Sequence, residues 1–313
     1  MALSLTSFIS SSIAITLLIG ILFLIIKKKK ILSQFGLGCI YFLVMLILLR
    51  GFLPFDFYAI KLTTSIYSYE VLPKLNDIMK SSLVTIKTIA ITPYRILFFL
   101  WLTGSCIYLY RFLRGYQQSR KFILSLPEIT QESIFNIFQK ALCTVYPKKK
   151  PTFKLVSSDT FSSPAIWGIK TLYLILPPVA YTEDELYYVF VHELLHSKRK
   201  DFLCKFLMDI LACVHWWNPL VSKFLFPVVN QIQELSVDYQ LTKTLGKNKK
   251  ILYLDTLTKT LQYGSQLNAS NCQKNSSGTY ALVDSHTKTS IYQRLQYIMK
   301  HHVKVPLQTL SVR

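Results

Sequence analysis

Val191-His192-Glu193-Leu194-Leu195-His196 is the stretch on which the reading of this chain turns. Residues four apart in a helix lie one above the other, so His192 and His196 share a face. Two imidazoles so placed can hold one Zn²⁺, and Glu193 beside the first can take a proton from the water that such an ion makes acidic. The run is expected to be helical because it is apolar and follows a cap. Thr182 with Glu185 three residues on has the form of a capping box, which satisfies free N–H groups at a helix start. The helix is read from there to about Lys200.

Two histidines leave an ion short of protein ligands, and a third is expected from a later helix. In Gln231 to Gln240, Ile232, Leu235 and Tyr239 recur at helical spacing and put Glu234 and Asp238 one turn apart. Glu234 is the expected third metal ligand. Asp238 is expected to accept the proton on the second ring nitrogen of His192 or His196, fixing the tautomer and raising ligand basicity. Carboxylates on helices usually form a solvated face. This pair is set apart by following a capped apolar helix that carries the two histidines.

Upstream of the motif the pattern is mixed. Thr130 reads as the cap of a helix through Tyr146, with Ile134, Ile137, Phe138 and Leu142 on one face. The basic turn Pro147 to Pro151 ends it. Short extended pieces follow at residues 152–157, 165–169 and 171–176, the last stopped by Pro177-Pro178. Ala165, Ile166, Trp167 and Gly168 are candidates for an edge strand that binds substrate backbone by β-addition. Gly264 to Gly278, rich in Ser, Asn and Gln, reads as a mobile loop.

The chain has 313 residues, 51% hydrophobic and only 17% charged, with a mean hydropathy of +0.33. That is not an ordinary soluble composition. Apolar runs at about 6–26, 31–49 and 93–112 are read as transmembrane helices. Lys27-Lys28-Lys29-Lys30 between the first two marks that hairpin as cytoplasmic. The N-terminus is then outside, residues 50–91 form an external loop, and Arg111, Arg114, Arg120 and Lys121 return the chain to the cytoplasm. Residues 115–300 are the expected cytoplasmic domain and 301–313 a tail. The apolar segment Phe202 to Val229 contains Lys205, Asp209, His215 and Lys223. A full crossing there would separate Glu234 from His192, so two helices broken at Asn218-Pro219 are expected, dipping into the inner leaflet or forming a buried hairpin. His215 beside Trp216 and Trp217 reads as packing.

Disorder is excluded by 20 Phe and 19 Tyr. Six cysteines without a C-x-x-C pair exclude a disulfide scaffold and read as reduced, mostly packing residues. The net charge of +20 lies beside the apolar runs, which suits anionic lipid better than direct nucleic-acid binding.

Three blocks resemble one family. Ser163-Pro164-Ala165-Ile166-Trp167-Gly168 through Tyr173 to Pro177 looks like its strand pair. Tyr181 to Leu186 into His192-Glu193-Leu194-Leu195-His196 and Lys198-Arg199-Lys200-Asp201 is similar to its metal-binding helix. His215-Trp216-Trp217-Asn218-Pro219-Leu220, then Glu234-Leu235 with Asp238, is similar to its third-ligand helix. The family is that of the membrane-embedded zinc peptidases of the BlaR/MecR type, which signal β-lactam exposure. The resemblance implies zinc on His192, His196 and Glu234, Glu193 as catalytic base, and proteolysis that ends in loss of a DNA-binding repressor. The family's best-known members carry a penicillin-binding sensor domain after the protease, for which no room is expected after Lys300.

The fold class expected is a mainly α membrane protein with a cytoplasmic α+β gluzincin-like zinc peptidase domain. The function expected is a zinc metalloendopeptidase that cleaves a transcriptional repressor or another regulatory protein in response to a signal. Its partners are a protein substrate and the lipid bilayer, with a homo-oligomer also compatible. Two rivals share features of this sequence: a housekeeping protease for damaged membrane proteins, and a scaffold with a structural zinc. The latter would need a fourth protein ligand.

Overall fold

The computed structural model describes residues 5–27, 37–53, 77–86, 89–243, 245–271 and 294. The chain divides into two compact units, Met1–Arg114 with Leu207–Val228, and Gly115–Phe206 with Val229–Arg313. The segment for which sequence left two placements open, within 202–229, groups with the first unit over Leu207–Val228.

In the first unit, α1 (Leu5–Lys27) and α2 (Leu37–Phe52) pack together. Ile15, Ile19 and Leu22 of α1 and Ile40, Val44 and Ile47 of α2 are buried at helical spacing. The Ser11 hydroxyl donates to the Arg50 carbonyl at 2.6 Å, which sets the two helices antiparallel. Other apolar side chains point outward. Ile13, Leu17, Leu24, Phe42, Met45 and Leu49 are all exposed. A hairpin of β1 (Val84–Ile86) and β2 (Ile89–Ile91) follows. It lies in the stretch read as an external loop, of which residues 54–76 and 87–88 are outside the described residues, as are Lys28 to Lys30.

Helix α3 (Pro93–Leu124) is longer than the apolar run at 93–112 that announces it. Among the described residues it is the one helix long and apolar enough to cross a membrane, with shorter apolar helices at Ser11–Ile25 and Ile40–Phe52. Ile96 to Leu100 are exposed. Water selects against an apolar surface this continuous, whereas hydrocarbon favours it, because the helix satisfies its own backbone.

In this unit Trp101 Nε1 donates to the Val214 carbonyl at 2.9 Å and Trp216 Nε1 to the Trp101 carbonyl at 3.2 Å. The Trp216 ring stacks on Tyr108, and Gly104 leaves the space that ring fills. Trp216 is therefore packed against α3, while Trp217 remains exposed. Helix α6 (Asp201–Val214) ends before Asn218-Pro219, and a π-helical turn (Val221–Leu225) leads into α7 (Phe226–Lys243). The break is where Pro219 predicts it.

The second unit holds a small sheet between helices. Helix α4 (Glu132–Val145) precedes β3 (Phe153–Ser157), β4 (Ala165–Trp167) and β5 (Leu172–Leu176). The order is β3-β5-β4, parallel between β3 and β5 and antiparallel between β5 and β4. Both faces are covered, as the alternation shows. Leu155, Leu174 and Leu176 join one core with Phe138 and Phe190. Val156, Ile175 and Trp167 join another with Ile123 and Phe161. Helix α4 starts at Glu132, two residues after the cap expected at Thr130. The reason is a tertiary contact: Ile129 N–H donates to Leu155 O, and Ser157 N–H to Pro127 O, both at 3.0 Å. These bonds draw 127–129 along the outer edge of β3 and leave Thr130 in the link.

Helix α5 (Glu183–Lys198) carries the histidines. Both capping-box bonds are made between Thr182 and Glu185, and Glu185 also accepts from Lys259 Nζ at 2.8 Å. Leu186, Val189, Phe190, Leu194 and Leu195 are all buried, so this is a core helix apolar on most sides. Helix α8 (Lys247–Asn271) runs through residues 264–271, where the mobile loop read at 264–278 was expected to begin, and 272–278 lie outside the described residues. A Cβ at 264 would stand 3.0 Å from the Ser162 carbonyl oxygen, so glycine serves close packing there rather than a break.

Candidate metal centre

His192 and His196 of α5 and Glu234 of α7 offer ligand atoms that all lie within 4.8 Å of one another. The two Nε2 atoms are 3.1 Å apart, and the Glu234 carboxylate oxygens lie 3.4 Å from the His192 Nε2 and 3.6 Å from the His196 Nε2. His192 is buried and Glu193 nearly as much so.

The other nitrogen of each ring explains this arrangement. His196 Nδ1 is 2.8 Å from Asp201 Oδ2, and the carboxylate can only accept. His196 therefore carries hydrogen on Nδ1. Asp201 reaches back because Arg199 ends α5 and Lys200, at φ 59°, turns left-handed, so α6 starts beside the ring. Gln233 Nε2 donates to the Asp201 carbonyl at 3.4 Å, and Arg199 contacts both Asp201 and Ser236.

His192 is oriented differently from expectation. Its Nδ1 is 3.5 Å from Asp238 Oδ1, beyond a good hydrogen bond, and the Tyr253 hydroxyl of α8 lies between them. That hydroxyl donates to Asp238 at 2.6 Å. Burial and the charge of Asp238 hold its pKa well above the usual phenol value, so it keeps its one proton. Its oxygen then accepts from His192 Nδ1–H at 2.8 Å. Asp238 thus acts on His192 through Tyr253, and Asp201 rather than Asp238 serves His196.

With both Nδ1 atoms protonated, each Nε2 turns a lone pair toward the other and toward Glu234. Such a group needs a positive centre. That centre is either a metal ion or a proton on the His196 Nε2: although burial opposes the charge, Glu234 and the Asp201 hydrogen bond raise His196 to about 10. In the same way burial opposes the charge of Glu234, but Arg294 and His196 hold it well below the usual carboxylate range. Two imidazole nitrogens and a carboxylate form a donor set that fits Zn²⁺. Glu193 is raised by burial, against the pull of the two histidines. A carboxyl shifted upward is suited to holding a proton transiently.

Strand β4 packs against α5 and lies at the sheet edge opposite β3. Ile166, opposite Leu174, turns toward the core that includes α5, and Trp167 turns to the other face. Gly168 follows at φ 118°, where a side chain would meet the Thr171 carbonyl oxygen. His215 lies in the other unit, buried with Nε2 3.4 Å from the Gly51 carbonyl.

Sequence reasoning missed Asp201, Tyr253 and Arg294. Asp201 stands in the block Lys198 to Asp201, but its reach depends on the turn at Lys200. Tyr253 resembles any core aromatic, and Arg294 is one of 36 basic residues with no marker.

The BlaR1 peptidase M56 family matches residues 7–298. Regulatory protein BlaR1 of Bacillus licheniformis is 29% identical over 164 residues, covering 52% of this chain and 27% of that protein. The methicillin resistance mecR1 protein of Staphylococcus aureus is 22% identical over 167 residues, 51% of this chain and 27% of that protein. The match therefore takes in about a quarter of each relative's length. With a family match over nearly its whole length, the chain belongs to the BlaR1 peptidase M56 family.

Proposed function

We propose that this chain is a zinc-dependent membrane endopeptidase that cleaves a transcriptional repressor or another regulatory protein in answer to a signal. The observation that carries this reading is the convergence of His192, His196 and Glu234 within 4.8 Å, both rings held by their Nδ1 atoms so that Nε2 faces the group. Zinc held there would act as a Lewis acid, polarising the scissile carbonyl and making water acidic near neutral pH. Glu193 takes a proton as the water oxygen attacks the carbonyl carbon, and returns it to the amine nitrogen as the C–N bond breaks. The edge of β4, over Ala165 to Gly168, accepts substrate backbone as an added strand beside α5. The relatives' names, a regulatory protein and a resistance protein, support a signalling role over housekeeping removal of damaged membrane proteins.

In this reading α1, α2 and α3 cross the membrane with the N-terminus outside, and a gluzincin-like peptidase unit is cytoplasmic. The lysines at 27–30 and the basic residues that follow Tyr110 support that orientation. The test is casein cleavage by the full chain in detergent. Glu193→Gln keeps the shape of the side chain but cannot take the proton, and is expected to lose about 10²-fold or more in rate. Undiminished turnover in that variant would remove the assignment of Glu193.

A further inference from the structure

Arg294 is 4% exposed and binds two carboxylates at once. Its Nε and Nη2 donate to Asp238 at 2.7 and 2.8 Å, a bidentate pair. Its Nη1 stands 3.0 Å from Glu234 Oε2. The guanidinium is planar and rigid, so fixing one edge on Asp238 fixes the direction of the remaining nitrogen. Asp238 has no exposed surface and also accepts from Tyr253, which accepts in turn from His192. One side chain therefore ties a candidate metal ligand directly and a second one through the relay of Asp238 and Tyr253.

We infer that Arg294 is a positioning residue of the metal centre, aiming the Glu234 carboxylate at the two Nε2 atoms and holding the Asp238–Tyr253–His192 chain in register. This rests on the reading of His192, His196 and Glu234 as metal ligands. Two features set the role apart from simple charge neutralisation. Arg294 engages Oε2 of Glu234, the oxygen that contacts His192, while Oε1 is the one that contacts His196. It also needs three nitrogens in one plane, which a lysine cannot supply.

The test uses the full chain in detergent, with zinc affinity from competition against a chelating dye and the visible absorption of bound Co²⁺ as a report on ligand geometry. Arg294→Lys keeps a buried positive charge opposite Asp238. It is expected to fold, to bind zinc about 10- to 100-fold more weakly, as for other groups that orient ligands, and to show a shifted cobalt spectrum. Wild-type affinity and spectrum in the folded Arg294→Lys protein overturn the inference. Should that variant not fold, methylguanidinium added to Arg294→Ala is the second measurement. Recovery of metal affinity with its concentration supports the role, and no recovery overturns it. Wild-type protein that binds neither ion removes the metal-centre reading itself, whereas equal binding by wild type and variants removes this inference alone.

Discussion

Each histidine ring at the centre has one nitrogen engaged and one presented, and different residues do the engaging. Asp201 holds His196 directly, and Tyr253 stands between His192 and Asp238. Removing the Tyr253 hydroxyl leaves His192 Nδ1 facing a carboxylate 3.5 Å away. Tyr253→Phe and Asp201→Asn are each expected to weaken zinc binding by about 10- to 100-fold in dye competition, through loss of tautomer control. Unchanged affinity in both would mean that the rings are held by packing alone. The candidate ligands that the structure brings together were legible in the sequence because the spacing of His192 and His196 on one helix is itself the geometry, and the periodicity of the next helix singled out Glu234. The partners on Nδ1 were not, since Asp201 acts across the left-handed turn at Lys200 and Tyr253 comes from a separate helix.

At the scale of elements, what could be read was what local chemistry decides. The Thr182–Glu185 box opens α5 where expected, and Asn218-Pro219 separates α6 from α7. Sequence erred where tertiary contact overrides propensity. The 127–129 segment is drawn along β3, and Gly264 stays helical against Ser162. Strand β4 ends at Gly168 because only glycine suits φ 118° beside the Thr171 carbonyl. Gly168→Ala strains the turn that sets β4 against β5. The expected outcome is full zinc content with a fall of about tenfold or more in kcat/KM for casein, a loss of substrate alignment. Equal kcat/KM would take β4 out of substrate binding.

At the scale of the whole molecule, sequence already separated an apolar part from a mixed α/β part. It left open whether 202–229 dips into the membrane or forms a buried hairpin, because helical periodicity is the same for both. The proposed orientation makes a prediction that uses Cys143, an exposed thiol on α4. In a chain whose other cysteines are replaced by serine, a membrane-impermeant maleimide should leave Cys143 unlabelled in intact cells and label it after permeabilisation. Labelling in intact cells would put the unit that holds the centre outside. The central claim, that His192, His196 and Glu234 hold a metal with which Glu193 works, is tested most directly by the zinc content of purified full-length wild type, Glu193→Gln and Glu234→Ala. The account predicts equal zinc in the first two and none retained by Glu234→Ala. Wild-type zinc in Glu234→Ala, or no zinc in the wild type, would contradict it.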